Sequence, residues 1–284
     1  MERRALVGLD YLDAATTLLQ QARLAHPTDG LWEAADLQWW WREDRHEDPA
    51  EQQVWFDGDL PVAAVAFGRW GSAWGVDVLG RADVTAMLGQ ELWEVVTERH
   101  RGDLVDMLLR EDDEIGIAAA RAAGFAAEET PLRTGWMSAT DCPAPIDLPE
   151  GLAFRSYAGG RHWMAPRNGD QVAARLAETS LYRPDLDLAI VHGDEVAAYA
   201  LFWPDLVTGV GLVEPMRVED AHAGRGLGRA LLAEGLRRLA AAGCARFKVS
   251  FDPSNTAAAR LYLGAGFLPV SRSRLFRRTA SRSG

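Results

Sequence analysis

The sequence predicts an α/β protein with mixed sheets, made of two tandem domains that each combine a mainly antiparallel sheet with flanking helices. Each half of the 284 residues contains three strand-like runs followed by helix-like segments. The segment 141–151, DCPAPIDLPEG, has three prolines and no periodicity, which is typical of a linker. The endings IAAARAAGF (117–125) and NTAAARLYLGAGF (255–267) are similar and indicate a duplicated domain. We therefore expect domains at 1–140 and 152–284.

The first half begins its regular structure with three short runs of apolar residues separated by turn residues. These runs predict strands at 52–56, 60–70 and 75–79. Apolar residues at helical spacing then predict a helix near 84–100 and a second helix around 103–110.

The second half follows the same order. Strands are predicted at 185–191, 196–203 and 208–218, a helix at 226–242 and a further strand at 245–251. The predicted helix has a buried stripe of leucines at helical spacing. These leucines are Leu227, Leu231, Leu232, Leu236 and Leu239.

Composition excludes several classes of protein. The net charge of −11 divides into −17 for residues 1–150 and +6 for 151–284, which is not the broad basic surface of a nucleic-acid-binding protein. No apolar run reaches the ~18 residues of a membrane helix, and Asp10 and Asp13 interrupt the start where a signal peptide would be apolar. The two cysteines predict no disulfide framework, and the six histidines show no metal-ligand spacing. We expect a cytoplasmic protein without a metal, and the oligomeric state stays open.

A glycine-rich loop precedes the predicted leucine-rich helix in DAHAGRGLGRALL, residues 220–232. Bare backbone N–H groups at a helix N-terminus suit an anionic ligand such as a pyrophosphate. The G-x-G-x-G pattern follows an antiparallel-looking meander, so it does not fit the dinucleotide fingerprint, and the G-K-S/T of a P-loop is absent. The residues predicted to bind the anion are Gly224, Arg225, Gly226, Leu227, Gly228 and Arg229.

Two motifs in this order resemble those of the GNAT superfamily, the acetyltransferases that use acetyl-CoA. The hexapeptide AGRGLG at 223–228 aligns with the family's Q/R-x-x-G-x-G/A loop. The later signature N-x-x-A-x-x-L-Y-x-x-x-G-F is met in full. Its residues here are Asn255, Ala258, Leu261, Tyr262, Gly266 and Phe267. A tandem arrangement with one glycine loop is similar to that of mycothiol synthases and many actinobacterial acetyltransferases.

The resemblance implies further contacts to acetyl-CoA. The strand before the loop should part from its neighbour, and the backbone of Met216, Arg217 and Val218 should pair with the pantetheine arm. Asn255 is expected among the cofactor-binding residues. Ala223 departs from the family, which usually has Gln or Arg there, so a side-chain contact near the phosphates is missing.

Two residues are candidates for catalysis. Glu214 shares a strand face with Leu212, Met216 and Val218, and apolar company should raise its pKa, as a general base requires. A solvated strand glutamate is the alternative. The resemblance makes Tyr262 the acid that protonates the leaving thiolate, and the alternative is a tyrosine that packs in the core.

The acceptor is expected to be a small, cationic amine. Residues 38–51 combine QWWW with the acidic run REDRHEDPAE, including Glu43, Asp44, Glu47 and Asp48, and could hold a cation by ring faces and carboxylates. Core packing of the tryptophans and solubility of the acidic half are the alternatives. Transfer to a hydroxyl, transfer of a longer acyl group and a non-catalytic acyl-CoA sensor also stay open.

Overall fold

The computed structural model describes residues 1–43, 48, 50–70, 72–100, 102–128 and 132–279. The chain forms two compact units, each discontinuous in sequence. Unit 1 comprises Met1–Ala34, Arg45–Leu132 and Ser271–Gly284, and unit 2 comprises Ala35–Asp44 and Arg133–Val270. Two segments depart from a simple division into an N-terminal and a C-terminal unit. Residues 35–44 belong to unit 2, and the residues from Ser271 onward belong to unit 1.

Strands and helices alternate along the described residues. The strands are β1 (Glu2–Leu6), β2 (Gln52–Asp57), β3 (Leu60–Trp70), β4 (Ala73–Gly80), β5 (Val105–Arg110), β6 (Ala126–Ala127), β7 (Leu132–Ser138), β8 (Ala153–Ser156), β9 (Asp187–His192), β10 (Glu195–Asp205), β11 (Val210–Val218), β12 (Arg246–Phe251) and β13 (Leu268–Arg278). The helices are α1 (Gly8–Ala25), α2 (Ala34–Trp40), α3 (Ala82–Glu98), α4 (Glu114–Ala122), α5 (Ala165–Asn168), α6 (Val172–Ala177), α7 (Leu227–Ala241) and α8 (Thr256–Ala265). The predicted α/β class is confirmed.

Unit 1 contains a sheet in which β1 to β4 pair antiparallel in chain order and β4 pairs parallel with β5. The three strands predicted in this half are present. The second helix predicted around 103–110 is wrong, because Val105–Arg110 form β5. These residues pair antiparallel with 273–278, and this pairing with a distant segment overrides the local helical spacing.

Unit 2 contains a sheet with the order β7-β12-β11-β10-β9-β8. The pairs are antiparallel except for β11 with β12. Helix α7 packs on this sheet, and every leucine of its predicted stripe is at most 1% exposed. Among the described residues, no helix is both long and apolar enough to cross a membrane.

Helix α7 approaches the sheet most closely at Gly235. A Cβ atom built on Gly235 would lie 1.9 Å from Cζ of Phe202, which is itself buried on β10. The glycine therefore lets the helix axis lie directly over the Phe202 ring. This close approach sets the position of the whole helix, including the N-terminus that carries the glycine loop.

We expect Gly235→Ala to destabilise the protein by about 1–3 kcal/mol, since overpacking must displace either the helix or the Phe202 ring. Chemical denaturation measures the loss. The matched control is Gly264→Ala in α8, where an added Cβ meets nothing within 4 Å and the higher helix propensity of alanine should add up to about 1 kcal/mol. Equal effects of the two substitutions would contradict the packing argument.

Candidate active site

The central feature of unit 2 is a pair of parallel strands that part. Strand β11 pairs with β12 only at Val210–Leu212, opposite Arg246–Lys248. Within the described residues, β11 then continues to Val218 without a partner on that side, while its other edge stays paired with β10. The backbone of Met216–Val218 therefore lies along the opening, as the family resemblance implied.

A bulge in β11 accompanies the parting. Phe202 pairs with Val213 and Ala200 with Met216, so Glu214 and Pro215 together face the single residue Leu201. Proline has no N–H to donate to a ladder. The bulge thus re-aims the backbone at Glu214, and the indole Nε1 of Trp203 donates a 2.6 Å hydrogen bond to the Glu214 carbonyl.

The glycine loop lies at the start of α7. Gly224 and Gly226 have φ of +75° and +79°, which favours glycine, and a Cβ on either would meet nothing within 4 Å. Gly228 differs, because its Cβ would contact Val218 Cγ2 at 3.4 Å. The first two glycines therefore shape an open loop, and the third lets the helix approach β11.

The N-terminus of α7 is available to an anion. The first turn contains no acidic residue, and the first N–H groups of a helix have no partner within it. Arg225 is held beside the loop, since its Nη1 donates to Nδ1 of His222 at 3.0 Å and His222 Nε2 lies 2.8 Å from Glu195. Arg229 is exposed in the first turn of the helix. Asn255 caps α8 by accepting a 3.1 Å hydrogen bond from the Ala258 N–H, and whether it also contacts the cofactor stays a prediction.

Glu214 is partly buried where the strands part. Burial raises its pKa to about 7, the carboxylate of Asp36 adds to the rise, and Arg42 and a hydrogen bond from Trp39 oppose it. The sequence analysis predicted that Glu214 shares one strand face with Leu212, Met216 and Val218. This is wrong, because the bulge reverses the alternation: Leu212 packs in one buried cluster, and Met216 and Val218 pack against the other. The sequence analysis singled out the segment 38–51 for a cation and did not connect Asp36, Trp39 or Arg42 with Glu214.

Tyr262 is buried on α8 between Phe251 and Phe267, with ring centroids 5.6 and 6.0 Å away. Burial and the charge of Glu214 both raise the pKa of its phenol above the ordinary value. The hydroxyl is therefore protonated at neutral pH and near enough to Glu214 to sense its charge. Tyr262 is thus a core residue, and its role as an acid stays a prediction.

The tryptophan run lies in unit 2 with Glu214. Trp39 is buried, Trp40 is partly buried against the same cluster, and the ring of Trp41 lies 3.7 Å from the Arg175 guanidinium. Glu43 pairs with Arg42 and accepts a hydrogen bond from Asn168. The remaining residues of the acidic run include Asp44 and Glu47, which lie outside the described residues. The carboxylate of Glu43 is thus already engaged within the protein.

A buried polar cluster supports Trp203. Asp187 accepts hydrogen bonds from His162, Trp163 and Tyr182 at 2.6, 2.8 and 2.8 Å, and the Tyr182 ring lies edge-on to Trp203 at 6.2 Å. Burial raises the pKa of Asp187, while these donors lower it. Tyr182 thus links this cluster to the Trp203 ring. In the described parts of the chain, no group of three or more side chains is arranged to hold a metal ion.

Parted parallel strands followed by a glycine loop and a helix are the core of the N-acetyltransferase fold. Residues 161–267 match the model of the acetyltransferase (GNAT) family, so this part of the chain is similar to a GNAT domain. Relatives in sequence include mycothiol acetyltransferases. The one from Kineococcus radiotolerans is 34% identical over 197 residues, 63% of each chain. The one from Thermobispora bispora is 32% identical over 191 residues, 57% of this chain and 62% of the relative. The matched region is thus less than two thirds of each relative.

Solved structures resemble the whole chain in fold. A tandem GNAT protein from the clavulanic acid biosynthesis pathway has a TM-score of 0.68 at 16% identity, over 100% of this chain and 99% of that one. A GCN5-related N-acetyltransferase from Sphaerobacter thermophilus has a TM-score of 0.62 at 20% identity, over 98% and 95%. The chain therefore has the tandem GNAT fold.

Glu214→Gln should stabilise the protein at alkaline pH. The pKa of Glu214 is raised from 4.5 to about 7, so the stability that this group contributes is present below pH 4.5 and is lost as the pH rises through 7. The glutamine variant lacks this loss and should be more stable at pH 8 by up to about 3 kcal/mol, with little difference at pH 4. Denaturation curves of the parent and the variant at both pH values test this. If the difference between their free energies of unfolding is the same at pH 4 and pH 8, the prediction is wrong.

Proposed function

We propose that the chain is an acetyl-CoA-dependent N-acetyltransferase that acts on a small-molecule amine. The observation that carries the proposal is the Glu214 carboxylate, whose pKa lies near 7 at the point where β11 and β12 part. A base with this pKa is half ionised at neutral pH. The coupled, protonated Tyr262 supplies the complementary acid.

The residues of unit 2 fit an acetyl-CoA molecule. The open glycine loop and the N-terminus of α7 suit the diphosphate, with Arg225 and Arg229 as nearby cations. The open edge of Met216–Val218 suits the amide groups of the pantetheine arm. When bound, acetyl-CoA supplies an acetyl thioester. Ala223 contributes no polar side chain here, so the backbone and the two arginines hold the phosphates.

The two titratable groups divide the proton transfers between them. Glu214 takes a proton from the ammonium group of the acceptor and so produces the neutral amine that acts as nucleophile. Tyr262 gives its proton to the departing sulfur as the C–S bond breaks and the C–N bond forms, and the second proton that the nitrogen loses on becoming an amide restores the phenol. A module that only binds acyl-CoA needs neither group, so the pair favours an enzyme over a sensor.

The acceptor is proposed to be a cationic amine. A base that ionises near pH 7 suits an acceptor amine that binds in its protonated, cationic form. An alcohol binds without a positive charge and has no such proton to lose. The relatives named mycothiol acetyltransferase make the unacetylated form of mycothiol one member of the acceptor panel. Amino sugars, polyamines, amino acids and alcohols complete the panel, and longer acyl-CoA donors test the acyl length.

We expect one acetyl-CoA site per chain, in unit 2, with micromolar affinity by calorimetry. Gly226→Val should abolish binding, because a branched side chain at φ +79° distorts the loop and covers its N–H groups. The matched control is Gly169→Val, at φ +84° with equally open space but outside the loop. Two equivalent sites per chain, or equal binding by the two variants, would overturn the assignment.

Substitution of the catalytic pair should lower turnover without loss of acetyl-CoA binding. We expect Tyr262→Phe to lower kcat by about 10–10²-fold and Glu214→Gln to lower kcat/KM by about 10²-fold or more near pH 7, as loss of an acid or a base does. A thiol-release assay with the best acceptor of the panel measures both. Tyr157→Phe, which loses a hydrogen bond to the Gly160 carbonyl, and Glu234→Gln on α7 are the controls. Near-parental rates in both test variants would refute the roles.

A further inference from the structure

Residues 35–43, which we call the tryptophan segment, come from the N-terminal half of the chain but belong to unit 2. The amide of Gln38 donates to Ser180 Oγ at 2.9 Å and accepts from the Leu181 N–H at 2.8 Å. Trp41 Nε1 donates to Glu178 at 2.7 Å. Asn168 donates to Glu43. Four hydrogen bonds from three residues of the segment thus tie it to residues 168–181.

Arg175 adds two further contacts to the segment, both with Trp41. Its Nε donates a 3.0 Å hydrogen bond to the Trp41 carbonyl, and its guanidinium lies 3.7 Å from the Trp41 ring. A cation held against a ring face and a carbonyl together restrains both the backbone and the side chain of Trp41. The segment is therefore held by hydrogen bonds and a cation–π contact in addition to the packing of its rings.

The inner face of the segment meets the catalytic strand. Trp39 is buried in a cluster with Leu212 and Trp203, and Trp203 in turn donates a hydrogen bond to the Glu214 carbonyl. Trp39 is also among the groups that lower the pKa of the Glu214 carboxyl. Asp36 is buried one helical turn before Trp39, and residues three apart lie on the same face of a helix. Asp36 therefore faces the same strand as Trp39.

We propose that the tryptophan segment positions the general base: Trp39 and Asp36, on the buried face of the anchored segment, hold the surroundings of the Glu214 carboxylate in place. Trp39 and Asp36 act through Glu214 and are positioning residues. Their importance for catalysis rests on the proposed acetyltransferase function. Their effect on Glu214 itself does not.

The charged and titratable groups near Glu214 act on it with different signs. From the tryptophan segment, Asp36 favours the protonated form of Glu214, while Arg42 and the Trp39 hydrogen bond favour the ionised form. From α8, Tyr262 is coupled to the same carboxylate. Arg42 is itself held by its 4.0 Å contact over the Trp39 ring and by a 3.2 Å hydrogen bond to the Trp39 carbonyl. Removing Asp36 and removing the Trp39 donor should therefore move the pKa of Glu214 in opposite directions.

The test is a direct titration of Glu214 by pH-difference infrared spectroscopy, with the carboxyl band identified by its absence in Glu214→Gln. Asp36→Asn should lower the pKa of Glu214 by about one unit, and Trp39→Phe should raise it. Asp36→Glu, which retains the charge, should leave it near the parental value. Trp40→Phe is the matched control for loss of an indole N–H from the same segment and should have no effect.

Opposite shifts support the proposal, since general loosening of the segment would move the pKa the same way in both variants. Shifts of the same sign, or no shift in either, would overturn it. If Trp39→Phe does not fold, the comparison of Asp36→Asn with Asp36→Glu tests the proposal by itself. These two substitutions change the volume and polarity of the site less than Trp39→Phe does.

A kinetic measurement separates this inference from the proposed function. With an active acceptor, the acidic limb of the kcat/KM profile should move with the infrared pKa in each variant, and KM for acetyl-CoA should stay unchanged. Opposite infrared shifts without acyl transfer to any member of the panel would contradict the proposed function and leave the positioning role supported. Transfer with an acidic limb that ignores both substitutions would contradict the positioning role alone.

Discussion

The parting of β11 from β12 is the constraint on which the rest of the candidate site depends. Parallel strands that stayed paired beyond Leu212 would satisfy their backbone groups against each other and leave no edge for a ligand. The bulge at Glu214 and Pro215 ends the regular pairing at the same level. It also places a carboxylate at the point of divergence, so the open edge and the base arise from one local irregularity.

Burial of the Glu214 carboxylate lowers the stability of the protein at neutral and alkaline pH and makes the carboxylate a stronger base. A glutamate in water ionises well below neutral pH and is then a weak base for an ammonium group. Taking Glu214 partly out of water, beside the buried Asp36, raises its pKa to about 7. Arg42 and Trp39 limit the rise, so the group still ionises near neutral pH. The surrounding residues thus hold the pKa of Glu214 above its value in water and low enough for ionisation at neutral pH. Because Asp36, Trp39 and Arg42 all lie on the tryptophan segment, the anchoring of this segment keeps their opposing effects on Glu214 in place.

The sequence was informative where a pattern is local and failed where a contact is distant. The glycine loop and the leucine stripe of α7 are each determined by neighbours in the chain, so their secondary structure followed from spacing. The predicted alternation in β11 failed at the bulge of Glu214 and Pro215, which reverses the face of the residues after it. Residues 105–110 carry a helical spacing but become a strand through pairing with 273–278. The position of Trp39 against Glu214 depends on a contact across 175 positions of sequence. The run QWWW indicated an unusual role for its rings, but nothing local specified which strand they meet.

The two units of the chain differ at the positions that the proposed site uses in unit 2. Phe247 and Val105 each lie 20 positions before the matched Phe267 and Phe125, and they pair with Gly211 and Trp74. Three residues further along, β11 has Glu214 and β4 has Asp77. Asp77 accepts a 2.7 Å hydrogen bond from the indole of Trp32, much as Glu214 does from Trp39. Unit 1 thus retains a carboxylate held by a tryptophan at the equivalent point.

The difference lies in what surrounds that carboxylate. Tyr262 in α8 corresponds to the buried Ala120 in α4, so unit 1 has no phenol at the position of the acid. The helix that follows β4 begins without a glycine loop and places Asp83 in its first turn. Arg81 and then the backbone N–H groups of Asp83 and Val84 lower the pKa of the Asp83 carboxyl, so an anion of the protein itself already occupies this helix N-terminus. A diphosphate would meet a negative charge in unit 1 and open N–H groups in unit 2. The two helix N-termini therefore differ in electrostatics although the two units share a fold, and this difference supports the proposal that acetyl-CoA binds in unit 2.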